Sequence, residues 1–263
     1  MATNYNPRIV TDGLVLCLDA GNTKSYPGPV PVAGWYDLSG NGNNGTFAAA
    51  SAPTYDSANG GSLVFDGEND YVSSSAGISS PISFGQGKSF TIELVFETND
   101  YGASQALIAR RNTDSSGDSD YMIFYQSSDF TFGTGSSGDS GAWRVVGSAF
   151  NTNNQIMHFC GVIDSTGAQT GTKITYKNGV QIDSISYAAK ASATANSTFI
   201  GKYNGNGFYL NGKIYNVKIY NRTLTAAEVQ QNFNATRSRY GIEILKKELC
   251  TNNATSQSFH SQR

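Results

Sequence analysis

The chain has 263 residues, which one large all-β sandwich can occupy as a single domain. Its 18 basic and 20 acidic residues give a net charge of −2, so no cationic excess favours nucleic acid as a partner. No apolar run is long enough to span a membrane, and Met1–Arg8 lacks the charged-then-apolar pattern of a signal peptide. The three cysteines, an odd number, fit a reducing compartment. We therefore expect a protein made in the cytoplasm without a signal peptide and without a membrane partner.

Glycine is frequent (29 residues), aromatic residues make up 12% and charged residues only 14%, which favours short strands joined by tight turns. Strand-like runs recur along the whole chain, either alternating between apolar and polar residues or apolar throughout. The predicted strands cover residues 14–18, 62–66, 71 onward, 89–97, 106–109, 121–125, 130–132, 143–146, 156–163, 173–177, 180–183, 198–201 and 212–220.

Three local patterns add detail to this prediction. Asn178-Gly179 between two strand-like runs is the signature of a type I′ hairpin. Thr225-Ala226-Ala227-Glu228 is a capping box, so one helix begins there and docks through Val229 and Phe233. In the last strand, the period of two predicts opposite faces for two sets of side chains, Ile214, Asn216, Lys218 and Tyr220 against Tyr215, Val217 and Ile219.

The number of short strands and the single late helix predict an all-β fold, a two-sheet antiparallel jelly-roll sandwich over residues 1–241. Residues 242–263 are predicted to be a separate tail. Its first half carries an apolar stripe at helical spacing, formed by Ile242, Leu245 and Leu249. Two interpretations remain open for the stripe: an attachment arm for assembly, or a segment that packs on its own sandwich.

The loop Asp66-Gly67-Glu68-Asn69-Asp70 follows a predicted strand and crowds three carboxylates together. Like charges repel unless something binds them, and Ca²⁺ takes about six to eight oxygen ligands. The pattern predicts a calcium site at Asp66, Glu68 and Asp70, completed by Asp37 or Asn41 from a second Gly/Asn-rich loop. The alternative is a solvated turn whose Asp side chains accept hydrogen bonds from their own backbone.

Several aromatic residues lie in or beside predicted loops, where a sugar ring could stack on them. These candidates for glycan binding are Tyr26, Trp35, Trp143, Tyr203 and Tyr209. For each of them the alternative is a partly buried aromatic residue that packs against the sandwich.

The chain resembles the laminin-G-like, concanavalin A-like jelly-roll domains. The resemblance rests on the order and spacing of five pieces: Trp35–Thr46, Gly61–Val72, Phe90–Phe96, Tyr176–Val180 and Gly212–Glu228. It implies the jelly-roll fold, and it fits a bound calcium ion or a bound glycan, which some members of the family carry. Because the fold hosts many functions, the resemblance alone decides none of them.

The amino-acid sequence of the first half, above all Asp12–Asn22, is similar to that of domains found in tailed-phage virion proteins. This similarity implies a non-enzymatic particle protein, such as a capsid decoration, head fibre or tail-tip protein, located in the virion and oligomeric there. Its partners would be other virion proteins and host-surface glycans. A free carbohydrate-binding module is the alternative from another functional class.

A glucanase-like glycoside hydrolase is the enzymatic alternative. Glu93-Leu94-Val95-Phe96-Glu97 resembles the paired-glutamate strand of glucanases that share this fold, but Val95 replaces the Asp between the glutamates. Retaining catalysis needs two carboxyl groups about 5.5 Å apart. Glu93 and Glu97 are separated by about 13 Å along a straight strand. We therefore expect no catalytic activity.

Overall fold

The computed structural model describes residues 8–28, 34–74, 79–85, 87–111, 119–135, 143–188, 197–203 and 207–242. Of residues 143 and 144 it describes only the backbone. Within this part of the chain there are sixteen strands and one α-helix. In chain order they are β1 (Leu14–Asp19), β2 (Gly34–Trp35), β3 (Gly45–Thr46), β4 (Thr54–Asp56), β5 (Ser62–Asp66), β6 (Val72–Ser74), β7 (Phe90–Thr98), β8 (Gln105–Arg111), β9 (Ser119–Gln126), β10 (Asp129–Gly133), β11 (Trp143–Val145), β12 (Met157–Ser165), β13 (Thr170–Lys177), β14 (Val180–Ala188), β15 (Thr198–Ile200), β16 (Asn211–Tyr220) and α1 (Ala226–Thr236).

The strands form two antiparallel sheets. The first sheet has the order β14-β13-β12-β7-β16-β5-β4, and the second has the order β11-β10-β9-β8-β15-β6-β3-β2. In the first sheet β16 is long enough to pair with two strands on one side: residues 211–214 pair with β5 and residues 216–220 pair with β1. The prediction of a two-sheet antiparallel sandwich with one late helix is confirmed.

The core lies between the sheets and is rich in aromatic rings. Phe90, Ile92, Leu94 and Phe96 point inward from β7, as the period of two predicted. Opposite them, Phe130 of β10 stacks on Phe96 with ring centroids 6.0 Å apart. Fully burying each such side chain stabilises the fold by about 1.5–3 kcal/mol, so this layer is the main source of sandwich stability.

The outer face of the first sheet, called the helix face below, is covered by α1. The capping box is formed as predicted: the Thr225 hydroxyl accepts from the Glu228 amide at 3.3 Å, and Glu228 accepts from the Thr225 amide at 2.8 Å. Val229 and Phe233 are buried against the sheet, which confirms the predicted docking face. After the helix the chain turns at Gly241, whose φ of +65° is left-handed.

Residues under α1 form a polar cluster around Glu93, which is fully buried on β7. The Lys218 ammonium and the His158 ring nitrogen Nε2 contact its Oε1 at 2.9 and 3.0 Å. The Asn232 amide of α1 donates to its Oε2 at 2.7 Å. One carboxylate thus joins β7, β12, β16 and α1.

The predicted faces of the last strand are correct for five of the seven residues. Asn216, Lys218 and Tyr220 do lie on the helix face, paired with Val95, Glu93 and Thr91. However, the register shifts between Ile214 and Asn216. Because this bulge adds one residue, Ile214 joins the main core while Tyr215 packs on the helix face, the reverse of the prediction.

The asparagine-glycine hairpin has the predicted geometry. Asn178 and Gly179 have φ angles of +50° and +78°, as a type I′ turn requires at both central positions. Ile242, the first residue of the predicted tail, is buried with Tyr240, Tyr215 and Phe233. Leu245 and Leu249 lie outside the described residues, so the arm and the domain boundary after residue 241 stay predictions.

The capping carboxylate makes a testable contribution to stability. Hydrogen bonds from the Arg222 guanidinium, the largest effect, lower the pKa of Glu228 from 4.5 to about 2. A carboxyl group with a lowered folded-state pKa stabilises the protein above its unfolded-state pKa and loses that contribution as the pH falls. We therefore expect Glu228→Gln to lower the Tm at pH 7, and the difference from the native chain to shrink from about pH 4.5 to about pH 2.

Thermal unfolding followed by circular dichroism across this pH range checks the expectation. Glu68→Gln is the matched control, because Glu68 is an exposed glutamate that caps no helix. A Tm difference for Glu228→Gln that does not change with pH would contradict the assignment.

Candidate functional site

A pocket of about 510 Å³ opens on the outer face of the second sheet, called the pocket face below. Strands β8 to β11 supply most of its lining, and the connection between β15 and β16 supplies the rest. The lining residues are Arg111, Met122, Phe124, Gln126, Ser127, Asp129, Thr131, Val145, Tyr203 and Phe208.

Strand register explains the floor of the pocket. Thr131 of β10 pairs with Phe124 of β9 on one side and with Val145 of β11 on the other. Directly paired residues share a face, so these three side chains form one row across the sheet. Met122 lies two residues before Phe124 and therefore joins the same face. The floor is largely apolar although it lies on the outside of the sandwich.

Two aromatic residues form a wall above the floor. The rings of Tyr203 and Phe208 meet edge to face with centroids 5.2 Å apart, and both pack on the cluster that contains Met122 and Phe124. The Arg111 guanidinium carbon lies 4.8 Å from the centre of the Tyr203 ring. Both wall residues are only partly buried, so they still present ring surface to solvent.

Phe208 holds a backbone conformation that bulky residues rarely adopt. Its φ is +55°, and its carbonyl oxygen accepts a hydrogen bond from the Ala106 amide of β8 at 2.8 Å. The left-handed conformation costs about 1–2 kcal/mol for a residue with a Cβ. Strain of this kind is typical of functional sites, where the surroundings fix a side chain in one position.

The rim of the pocket is polar. Gln126 and Asp129 are paired across the β9–β10 hairpin, and both are exposed. The two turn residues between them, Ser127 and Ser128, have φ angles of +51° and +71°. An apolar floor, an aromatic wall and a hydrogen-bonding rim suit a ligand that is apolar on one face and rich in hydroxyl groups at its edge.

Comparison with known proteins identifies the family. The profile described as the concanavalin A-like lectin/glucanases superfamily, Laminin_G_3, matches residues 66–230, which is more than half of the chain. The chain belongs to this superfamily. No curated protein sequence matches it.

Solved structures share the jelly-roll fold at low sequence identity. The binding domain of Paraclostridial Mosquitocidal Protein 1 is 19% identical, with a TM-score of 0.62 over 86% of this chain and 52% of that one. The botulinum neurotoxin serotype G binding domain is 14% identical, with a TM-score of 0.60 over 84% and 50%. This chain therefore spans about half the length of the two toxin binding domains.

A third structure matches over nearly its whole length. It is domain 4 of AbnA, a GH43 extracellular arabinanase from Geobacillus stearothermophilus, in complex with arabinotriose. It is 18% identical, with a TM-score of 0.60 over 83% of this chain and 97% of that domain. At these identities the likeness establishes the fold. Within the part of the chain that the structure describes, no helix is both long and apolar enough to cross a membrane.

The aromatic residues predicted to bind glycan have different positions in this superfamily fold. Tyr203 lines the pocket, and its role in glycan binding stays a prediction. Tyr26 and Trp35 belong to the main core instead: Trp35 is fully buried, and Tyr26 stacks on Tyr55 with centroids 5.1 Å apart. The prediction is wrong for these two, because both side chains pack into the core between the sheets and leave no ring face for a sugar.

The other two candidates are not placed in the pocket by the described contacts. Tyr209 is half-buried beside Phe208 but does not line the cavity. Trp143 pairs through its backbone with Gly133, and its side chain lies outside the described part of the chain. Sequence reasoning missed Phe124 and Phe208. The sequence did contain one indication of Phe124: β9 is apolar on both faces, and an apolar outer face indicates that other residues or a ligand cover it.

The acidic loop forms the turn that was the alternative to a calcium site. Asp66 Oδ1 accepts from the amides of Glu68, Asn69 and Asp70 at 2.8, 3.1 and 3.4 Å. Asp70 Oδ2 accepts from the Asp66 amide at 3.1 Å. Burial raises the pKa of Asp70, and the nearby Asp66 charge raises it further.

The second loop does not reach this site, which corrects the two-loop hypothesis. Asp37 accepts from the Cys17 amide at 2.8 Å, and Asn41 donates to the Leu14 carbonyl at 3.2 Å, so both residues cover the edge of β1. Asp66 pairs with residue 211 of β16, whereas Cys17 pairs with residue 218. Seven residues of strand separate the loops by about 23 Å.

Among the described residues, no group of three or more His, Cys, Asp or Glu side chains is arranged to hold a metal ion. A calcium ion held by Asp66, Glu68 and Asp70 alone stays a prediction. If the loop binds calcium, the Tm will rise with calcium concentration by mass action, and a chelator will reverse the rise.

Calorimetry of the native chain and of Asp70→Asn tests the loop. The substitution should abolish the calcium effect, while Asp164→Asn, at an exposed aspartate on β12, should preserve it. A Tm that stays constant across the titration rules the metal out.

Proposed function

We propose that this domain is a non-enzymatic, lectin-like module that binds a glycan in the pocket on the second sheet. The observation that carries the proposal is the aromatic wall, in which Tyr203 and a strained Phe208 stand over an apolar floor beside a polar rim. The fold shared with an arabinanase domain solved with arabinotriose supports a sugar as the ligand class. The volume of about 510 Å³ is typical of small-ligand sites.

The chemistry of the lining supports a saccharide over a purely apolar ligand. A sugar ring places its C–H groups against an aromatic face and its hydroxyl groups at its edge. Tyr203 and Phe208 supply the aromatic surface. Gln126 and Asp129 supply hydrogen-bonding groups at the rim, and Arg111 supplies planar N–H donors.

The glucanase alternative has no support at its paired glutamates. Glu93 lies on the helix face, fully buried beneath α1 and bonded through both carboxylate oxygens. Val95 between the two glutamates is buried with Tyr215 and Phe233. A polysaccharide in the pocket would meet the opposite sheet, so the proposed function is binding without hydrolysis at this pair.

The glycan proposal predicts a loss of affinity when the wall is truncated. Aromatic contacts of this kind contribute about 0.5–1.5 kcal/mol beyond area burial, which corresponds to an affinity about 2- to 12-fold weaker. We expect Tyr203→Ala and Phe208→Ala each to weaken binding at least this much, measured by titration calorimetry with a glycan identified on an array.

Tyr36→Ala is the matched control, since Tyr36 is an aromatic residue with 39% exposure that does not line the pocket. It should leave the affinity unchanged. Circular dichroism establishes that each variant is folded. The proposal would be contradicted if the folded native chain binds no glycan on the array. It would also be contradicted if both pocket variants bind the glycan as tightly as the native chain does.

We further propose that the module is displayed on a virion, where it contacts other particle proteins and host-surface glycans. This proposal is supported by the similarity of Asp12–Asn22 to the amino-acid sequences of domains in tailed-phage virion proteins. In the fold this segment contains β1. It also anchors the turn that follows α1, because Arg239 of that turn donates hydrogen bonds to both carboxylate oxygens of Asp19 at 2.7 and 2.8 Å.

Mass spectrometry of purified particles tests this placement. We expect the chain among the particle proteins in a fixed ratio to the major capsid protein, retained after a salt wash. Its absence from intact particles, together with its recovery as free protein in the lysate, would favour the free carbohydrate-binding module instead.

A further inference from the structure

Three reactive groups meet in the polar cluster under α1. Lys218 carries a primary amine, Asn232 a carboxamide and Glu93 a carboxylate that contacts both. The amine and the amide nitrogen bind the two oxygens of the same carboxylate, at 2.9 and 2.7 Å. All three side chains have at most 1% exposure, so bulk water does not separate them.

The fold fixes this arrangement from two sides. Glu93 and Lys218 are directly paired residues of β7 and β16, so their side chains rise together from the helix face. Asn232 descends from α1, whose position is set by the buried contacts of Val229 and Phe233. Binding the amine and the amide nitrogen to the two oxygens of one buried carboxylate keeps the two groups near each other, and such proximity raises their effective concentration.

The carboxamide is also polarised. The Val10 amide donates to Asn232 Oδ1 at 2.7 Å, and Asn232 Nδ2 donates a second hydrogen bond to the Tyr220 hydroxyl at 2.9 Å. A backbone N–H aimed at a carbonyl oxygen stabilises the negative charge that develops there when a nucleophile adds to the carbon. The amide nitrogen, as the leaving group, lies against the carboxylate that can protonate it.

We propose that Lys218 and Asn232 form an intramolecular amide bond, with Glu93 as the general acid–base. The neutral Nζ attacks Cγ of Asn232, and the electron pair of the carbonyl moves to Oδ1. Glu93 accepts a proton from Nζ and delivers one to Nδ2. The Cγ–Nδ2 bond then breaks, and ammonia leaves. One amine and one primary amide become one secondary amide and ammonia, so no oxidant or other reactant is needed.

The protonation states predict a slow reaction. Burial raises the pKa of Glu93, but Lys218 and His158 outweigh burial and bring it to about 2. Glu93 is therefore a carboxylate at rest, and because its pKa is so low, it seldom takes up the proton that must pass to it across the 2.9 Å hydrogen bond from Nζ. We expect the bond to accumulate with time after folding.

The product would tie α1 to the sheet in a chain whose described cysteines are both free. Cys17 and Cys160 are buried in β1 and β12, and burial raises the pKa of each thiol. The amide would close a short loop between β16 and α1, and a cross-link of this kind restricts the unfolded chain as a disulfide does.

Mass spectrometry of the folded native protein tests the proposal without any variant. Under denaturing conditions we expect the intact mass to be lower than the sequence mass by one ammonia. A protease digest should contain a branched peptide that joins Lys218 to Asn232. A chain that keeps its full sequence mass through a prolonged incubation, while circular dichroism shows it folded, overturns the proposal.

Variants exclude other sources of ammonia loss, such as succinimide formation at Asn-Gly pairs. Lys218→Met, Asn232→Leu and Glu93→Gln should each retain the full mass and lack the branched peptide. Lys173→Met is the control for a buried lysine: Lys173 has 1% exposure and lies over the Tyr187 ring at 5.1 Å. It should still lose ammonia. Ammonia loss that persists in Lys218→Met, or a branch point at another lysine, contradicts the assignment.

Discussion

The burial of one carboxylate governs how the helix and the first sheet fit together. An ionised group taken out of water costs several kcal/mol unless it is paired and hydrogen-bonded. Glu93 meets this condition only when Lys218, His158 and Asn232 all reach it, and these residues come from β16, β12 and α1. Any displacement of α1 would leave part of the charge unsatisfied, so the cluster specifies one position for the helix.

This arrangement gives the two outer faces of the sandwich different roles. The helix face is covered by α1 over β7, β12 and β16, whereas the described residues that stand over the pocket face belong to the connection that leads from β15 in the second sheet to β16 in the first. The Leu210 amide bonds the Gly201 carbonyl at 2.9 Å and so closes this connection into a loop. Tyr203 and Phe208 lie inside that loop, which is why the aromatic wall stands at the crossover between the sheets.

Most of the fold could be predicted from the sequence, because short local sequence patterns determine where its strands, its hairpin turn and its helix begin. Alternation in β7, Asn-Gly at the hairpin and the capping box each depend on neighbouring residues and are formed as predicted. The predicted faces of β16 failed at Ile214 and Tyr215, since a bulge is set by pairing with strands distant in sequence. The predictions for Trp35 and Tyr26 were wrong for a related reason. The local sequence around an aromatic residue beside a loop does not show whether its side chain points to solvent or into the core.

The pocket could be predicted only in part, because its geometry combines distant segments. Phe124 and Thr131 share a face through strand register, and Phe208 joins them through a left-handed backbone that no sequence pattern indicates. Of the floor strands, β9 and β10 are paired on both sides, which fixes the positions of Phe124 and Thr131 in the free protein. Such preorganisation lowers the entropy lost on binding. For the sugar that we propose as the ligand, this preorganisation requires that the Ala106 hydrogen bond hold the strained backbone of Phe208 before the ligand arrives.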